Sequence, residues 1–202
     1  MKKESNLKFA TRLAVVAMLV LIASCATTGA KSKVPGAPDL SGVWKSVSAE
    51  DMGNGAWATR EFTMKGSDWQ VVTTFYLDKD LKMPVFAFRA VGPYEITAAS
   101  SKIAGAYEAT FHFSEKFLTI LTDSGDVLKA FGFDPAGFVK GNETDISAKG
   151  VSFLKSVADY PLEYDLVALK DGQLSLGARP ADNDLSTVGK RPTKVGMPLS
   201  RP

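Results

Sequence analysis

From residue 40 onward the chain alternates apolar and polar side chains with a period of two, in short runs broken by Gly, Pro, Asn and Asp. Residues 57–65 put Ala58, Arg60, Phe62 and Met64 on one face and Trp57, Thr59, Glu61 and Thr63 on the other. Residues 69–77 are rich in β-branched and aromatic side chains and follow the break Gly66-Ser67-Asp68, so the two runs predict a hairpin. Ahead of them, residues 41–47 read as a strand and Asn54-Gly55 as a turn.

Residues 84–91 resume the pattern with Phe86 and Phe88 on one face, Gly92-Pro93 marks a bend, and residues 94–97 give another short strand. The longest alternation is 106–113, where Tyr107, Ala109, Phe111 and Phe113 oppose Glu108, Thr110 and His112. A period of two over eight residues excludes a helix face. Residues 117–121 make one more strand. Residues 162–170 set Leu162, Tyr164, Leu166 and Ala168 against Glu163, Asp165 and Val167, and Asp171-Gly172 turns the chain into residues 173–177.

One helical signal interrupts. Thr122 or Ser124 caps a turn or two through residues 126–131, and Gly132 ends it. Residues 133–150 read as loop with a short strand around 139–146, and residues 178–202, which hold Pro180, Pro192, Pro198 and Pro202, as coil or loose end. Successive strands with almost no helix predict an all-β antiparallel barrel or half-open barrel with one short helix. A barrel is preferred to a sandwich because Val71, Thr73 and Phe75 lie opposite Val72, Thr74 and Tyr76, so both faces of that strand are covered.

The start of the chain has another logic. Residues 13–25 form an apolar run behind Lys2, Lys3, Lys8 and Arg12, and it ends on Cys25, the only cysteine. A bilayer-spanning helix needs about 18 or more apolar residues, which this run lacks, and its basic prelude fits a secretory leader. Ile22-Ala23-Ser24-Cys25 resembles the lipobox of bacterial lipoproteins, which implies cleavage before Cys25, diacylglycerol on its sulfur and an acyl chain such as palmitate on the new amino terminus. Two or three acyl chains anchor a protein stably. Ala26, not aspartate, follows; by the enterobacterial sorting rule this predicts the outer membrane of the cell envelope. The domain plan is then a signal peptide at 1–24, a flexible tether at 25–39, a β domain at 40–180 and a tail at 181–202.

Charge changes meaning once the leader is set aside. The whole chain carries a formal +2, but residues 25–202 hold 20 basic against 21 acidic side chains. No concentrated basic face remains, so nucleic acid is not an expected partner. With no second cysteine there is no disulfide framework and no thiolate metal site.

With the strands laid out, segments in order carry a likeness: L-S-G-V-W-K-S at 40–46, A-T-R-E-F-T at 58–63, W-Q-V at 69–71, Y-L-D at 76–78, P-V-F at 84–86, G-P-Y at 92–94, G-A-Y-E at 105–108 and L-E-Y-D-L-V at 162–167. Together they resemble the domain of the adenomatosis-polyposis-coli-down-regulated proteins, membrane-anchored extracellular Wnt inhibitors with related domains in bacterial proteins. The resemblance covers residues 40–180. It implies a lipocalin-like barrel with a hydrophobic pocket for lipid acyl chains. Ala49 and Leu81 stand where the animal domain has what look like disulfide-paired cysteines, and both partners are missing together. Wnt inhibition does not carry over to a bacterial-type lipoprotein; the fold and lipid binding are what the resemblance implies.

Catalytic chemistry finds little support. His112 is the only histidine and sits on a polar strand face; no G-x-S-x-G, phosphate loop or dinucleotide fingerprint occurs. Glu61, Glu95, Glu108, Glu163 and Asp165 alternate out of strands, where solvated charge is expected. Asn142-Glu143-Thr144 matches a glycosylation sequon, a coincidence in a bacterial-type lipoprotein. No catalytic residue, metal ligand or cofactor is assigned, and the protein is expected not to be an enzyme. Trp44, Arg60, Phe62, Trp69, Phe86, Phe88, Tyr107, Phe111, Phe113, Tyr164 and Leu166 are the residues expected to line one interior, with Arg60 set to pair inside or to meet an anionic head group. Three readings follow. The first is a lipid-anchored envelope domain binding an apolar ligand. The second is a structural or interaction lipoprotein with a filled core. The third is a lipocalin-like enzyme in which Arg60, Glu108 and His112 converge.

Overall fold

The computed structural model describes residues 34–53 and 55–202; the predicted leader, Cys25 and most of the tether lie outside the described residues. Among the described residues eleven strands form one antiparallel sheet: β1 (Gly42–Ser46), β2 (Glu50–Gly53), β3 (Ala56–Lys65), β4 (Asp68–Tyr76), β5 (Pro84–Ala99), β6 (Ala106–His112), β7 (Glu115–Ile120), β8 (Glu143–Asp145), β9 (Leu162–Lys170), β10 (Gln173–Gly177) and β11 (Val195–Ser200). Eight of them close a ring in the order β3-β1-β11-β10-β9-β6-β5-β4 and back to β3. The expected all-β antiparallel barrel is therefore closed. Its short helix, α1 (Gly125–Ala130), is capped by Ser124, whose hydroxyl accepts the Val127 N–H, and Gly132 follows it at φ +76°.

Two pairs of strands act as single long strands with a break. Strand β6 pairs with the second half of β5 and β7 with the first half, so 106–120 runs along β5 throughout and steps aside only at Phe113-Ser114. In the same way β1 and β2 follow one another along β3, with the step at residues 47–49. Strand β9 pairs with β6 but not β7, and β11 pairs with β1 but not β2. Both seams therefore part at the same end of the barrel.

Register decides which side chains face inward. Trp69, Val71, Thr73 and Phe75 share a face with Gly92, Ala90, Phe88 and Phe86 opposite them, and the face continues onto Leu118 and Ile120 of β7. One core, inside the ring, holds Trp44, Phe62, Met64, Trp69, Phe111, Val167, Leu174 and Leu199. A second, at the parted end, holds Val85, Phe86, Leu118, Ile120, Leu128, Phe133 and Ile146. Burying side chains of this size stabilises by about 1.5–3 kcal/mol each before chain entropy is set against it.

Three sequence expectations are corrected. The stretch 181–202 is not a tail: β11 lies between β10 and β1 and closes the ring. Residues 84–91 and 94–97 are one strand, because Gly92 and Pro93 stay in register with Trp69 and Asp68. On β9 the inward face is Glu163, Asp165 and Val167, opposite Phe111, Ala109 and Tyr107. Tyr164 and Leu166 therefore point to the outer face and do not line the interior, and Leu166, although buried, belongs to neither core.

Candidate functional site

The interior ring is packed by aromatic side chains brought in from separate strands. Trp69 stacks on Phe62 at 6.4 Å and meets Phe111 edge-on at 5.1 Å and Phe113 at 5.4 Å; Phe111 stacks on Tyr94 at 5.7 Å and Phe113 meets Tyr160 at 6.0 Å. Such pairs add about 0.5–1.5 kcal/mol beyond the area they bury. Trp44, Phe62, Trp69, Phe111 and Phe113 of the expected lining are gathered here, with Phe88 and Tyr107 packed against them. Phe86 belongs to the second core, where it stacks on Phe75 at 4.4 Å and meets Phe131, Phe133 and Phe153.

One end of the ring is strapped shut. Residues 34–41 cross it, with the Tyr107 hydroxyl donating to the Gly36 carbonyl at 2.5 Å and the Trp44 indole N–H donating to the Leu40 carbonyl at 2.8 Å. The Arg201 guanidinium lies over the Trp44 ring at 4.3 Å and donates to the Ser41 carbonyl.

Polar groups point inward near the other end. Arg60 faces in, as its alternation suggested, and pairs with Glu50: Nη2 to Oε2 is 2.9 Å and Nε donates to Oε1 at 2.9 Å. The Ser46 hydroxyl donates to the same Glu50 oxygen. Beyond that pair lies an open cleft of about 640 Å³ lined by Ser48, Ala49, Glu50, Asp51, Trp57, Lys79, Asp80 and Met197, with the Lys79 ammonium 5.7 Å from the Trp57 ring.

A second polar group was missed in the sequence. Glu163 and Asp165 are buried, Glu163 receives both its bonds from Arg179 Nη2 at 2.6 and 2.8 Å, and Asp165 Oδ1 accepts the N–H groups of Leu166 and Gly177. Burial, with Glu163 close by, pushes the Asp165 carboxyl up to about 6. Lys116 is buried as well and donates to the carbonyls of Lys155, Ser156 and Tyr160; burial lowers it to about 8. These groups are satisfied by one another and by backbone, and their arrangement is that of a structural lock. The signal for it was Arg179, the nearest cation in the chain beyond the β9–β10 hairpin. The proposed catalytic trio does not converge: Arg60 faces inward, whereas Glu108 and His112 lie on the outer face of β6. Among the described residues no group of histidine, cysteine and carboxylate side chains is placed to hold a metal ion.

With the barrel and its strapped end in place, the match to known families can be read on the structure. A family model described as Adenomatosis polyposis coli down-regulated 1 matches residues 23–131, more than half of the chain. The chain belongs to this family. The match takes in β1 to β7 and α1, and the strands that complete the ring, β9 to β11, lie beyond it. Among curated proteins none matches the chain.

Proposed function

We propose that this member of the family is a bacterial envelope lipoprotein, held to the outer membrane through acylated Cys25, whose barrel is a filled scaffold acting through its surface on a protein partner without a catalytic step of its own. The observation that carries this is the packing around Trp69, whose ring belongs to the interior core and meets three others there at 5.1–6.4 Å. A ligand chain threaded there would have to displace those rings. The strap supports the orientation: the segment that follows Cys25 in sequence enters at the closed end, which turns the parted end away from the anchoring leaflet.

A second reading keeps the apolar ligand, a lipid or acyl chain. It is favoured by the second core, which the excursion between β7 and β9 covers with Phe131, Phe133 and Phe153, and by the family likeness. Metabolic labelling with a palmitate analogue tests the anchor, with Cys25→Ala expected to abolish the label. Native mass spectrometry of the purified chain tests the scaffold. An apolar molecule retained in stoichiometric amount on top of the Cys25 acyl groups rejects the filled scaffold in favour of the second reading.

A further inference from the structure

The two parted seams are treated differently by the chain. At the β6/β7 seam, where β7 runs on past β9, the free edge of β7 is taken by β8, which pairs Asp145, Thr144 and Glu143 with Phe117, Leu118 and Thr119. The rest of residues 121–161 fills the opening behind it with the second core. At the β1/β2 seam, β2 runs on past β11 in the same fashion. Strand β11 meets β1 only through Ser200 and Leu199, and β2 is paired on one side alone. The cleft between these edges is the one that Glu50, Asp51 and Met197 line together.

We infer that this open seam is a docking slot for an extended segment of a partner polypeptide, which adds a strand beside β2 much as β8 does beside β7. The inference rests on the surface-acting reading above and names its partner class. An unpaired strand edge recruits another strand through main-chain hydrogen bonds, and pockets for alternate side chains set the specificity. The rim supplies such contacts. Val47, Met52, Leu77, Met83, Val195 and Met197, six of the large apolar side chains that stand exposed among the described residues, lie on strand ends and loops at this end of the barrel. Methionine side chains adapt to varied apolar partners. Of the carboxylates that line the cleft, Glu50 is held by Arg60 and Asp80 by Lys82, which leaves Asp51 to meet a basic side chain among the apolar ones, so the segment it suits alternates apolar side chains with at least one basic one opposite Asp51. The bulge between Asp51 and Gly53 and Pro198 in β11 shorten the usable edges and oppose indiscriminate pairing.

The test uses the whole chain in detergent and fluorescein-labelled nonapeptides in which valine and lysine alternate, with glutamate-for-lysine and proline-interrupted versions as controls. The lysine peptide is expected to bind and to slow amide exchange at residues 50–53 and 195–198. The glutamate peptide and the variants Met197→Lys and Asp51→Lys are expected to weaken binding at least about fivefold. Val188→Lys, at an exposed position outside the slot, is expected to leave binding unchanged. Equal binding of both peptides, protection elsewhere, or no binding at all overturns the slot. So does light scattering that shows a dimer paired through the same edges, or binding to anionic vesicles that Met197→Lys abolishes. A filled interior with an unprotected seam overturns this inference alone, whereas a stoichiometric ligand inside the barrel overturns the reading beneath it.

Discussion

The ammonium of Lys116 stands 4.3 Å from the centroid of the Phe113 ring, across the step at Ser114 where one long strand changes partners. Phe113 belongs to the interior core and Lys116 borders the second, so this pair sits where the two cores meet. From there Lys116 sends its three donors into the carbonyls of Lys155, Ser156 and Tyr160, which ties the end of the long excursion to the barrel wall.

Lys116→Met is expected to leave those carbonyls without a donor and to cost about 1–3 kcal/mol of stability at neutral pH, with amide exchange rising first in residues 146–160. The pH dependence has a definite sign. Burial lowers the lysine from 10.5 to about 8, so between those values the unfolded chain binds more protons than the folded one. Wild-type stability relative to Lys116→Met is therefore expected to rise from pH 8 toward pH 10. Urea unfolding of both proteins at pH 7 and 9.5 measures it; a gap that narrows at pH 9.5 contradicts the assignment.

Asp165 works in the opposite sense. Its folded value, raised to about 6 from 3.8, makes the contribution of this group most favourable below pH 3.8 and progressively lost as pH rises through 6. Asn at this position keeps an oxygen for the Leu166 and Gly177 N–H groups and carries no charge to bury. Asp165→Asn is expected to stabilise by about 1–3 kcal/mol at pH 7, at 1.36 kcal/mol per pKa unit, and to be close to neutral near pH 3.5. Thermal melts at the two pH values decide it, and destabilisation at pH 7 contradicts it.

Gly92 sits against the neighbouring strand so closely that a Cβ would lie 1.9 Å from the His112 carbonyl oxygen, the same oxygen that accepts the Trp69 indole N–H at 3.0 Å. The obstacle is backbone on both sides, so a small shift of a side chain gives no relief. Gly92→Ala is expected to lose more than about 3 kcal/mol, read as the urea midpoint followed by tryptophan fluorescence. An unchanged midpoint would mean that the strand pair can separate there without cost.

Much of this fold was legible in short-range pattern. The β3–β4 hairpin, the β9–β10 hairpin with Asp171 and Gly172 both at positive φ, and Ser124 capping α1 all follow from residues a few positions apart. The inward turn of Arg60 was legible too, from its place between Ala58 and Phe62. What pattern hid was long-range. Glu163 and Asp165 looked solvated, because alternation assigns charge to the outside; Arg179, on the far side of the β9–β10 hairpin, is what allows the Glu163 carboxylate to turn inward. The parting of the two seams leaves no local trace at all, since β6 and β7 read as separate short strands and residues 50–53, which form β2, give no strand signal of their own. Strand β11 escaped notice because V-G-M-P-L-S carries a glycine and a proline where a central strand is expected to carry neither.

That last strand gives the strongest test of closure. Leu199 is fully buried, opposite Leu174 on one side and Ser46 on the other, at the place where the first and last strands of the ring meet. Pro198 is tolerated beside it because β1 steps away from β11 there and asks for no N–H from that position. If residues 181–202 were an accessory tail, removing the final strand would be nearly silent. With β11 closing the ring, a chain ending at residue 194 leaves the edges of β1 and β10 unpaired and exposes the interior core, including Trp44. It is expected to lose the cooperative near-ultraviolet transition and to aggregate. Leu199→Asp in the full chain, which buries a charge without a partner, is expected to cost more than about 3 kcal/mol, whereas Met197→Asp at an exposed position two residues earlier is expected to cost less than about 1 kcal/mol. Comparable losses for the two substitutions would mean that β11 is not seated in the wall of the barrel.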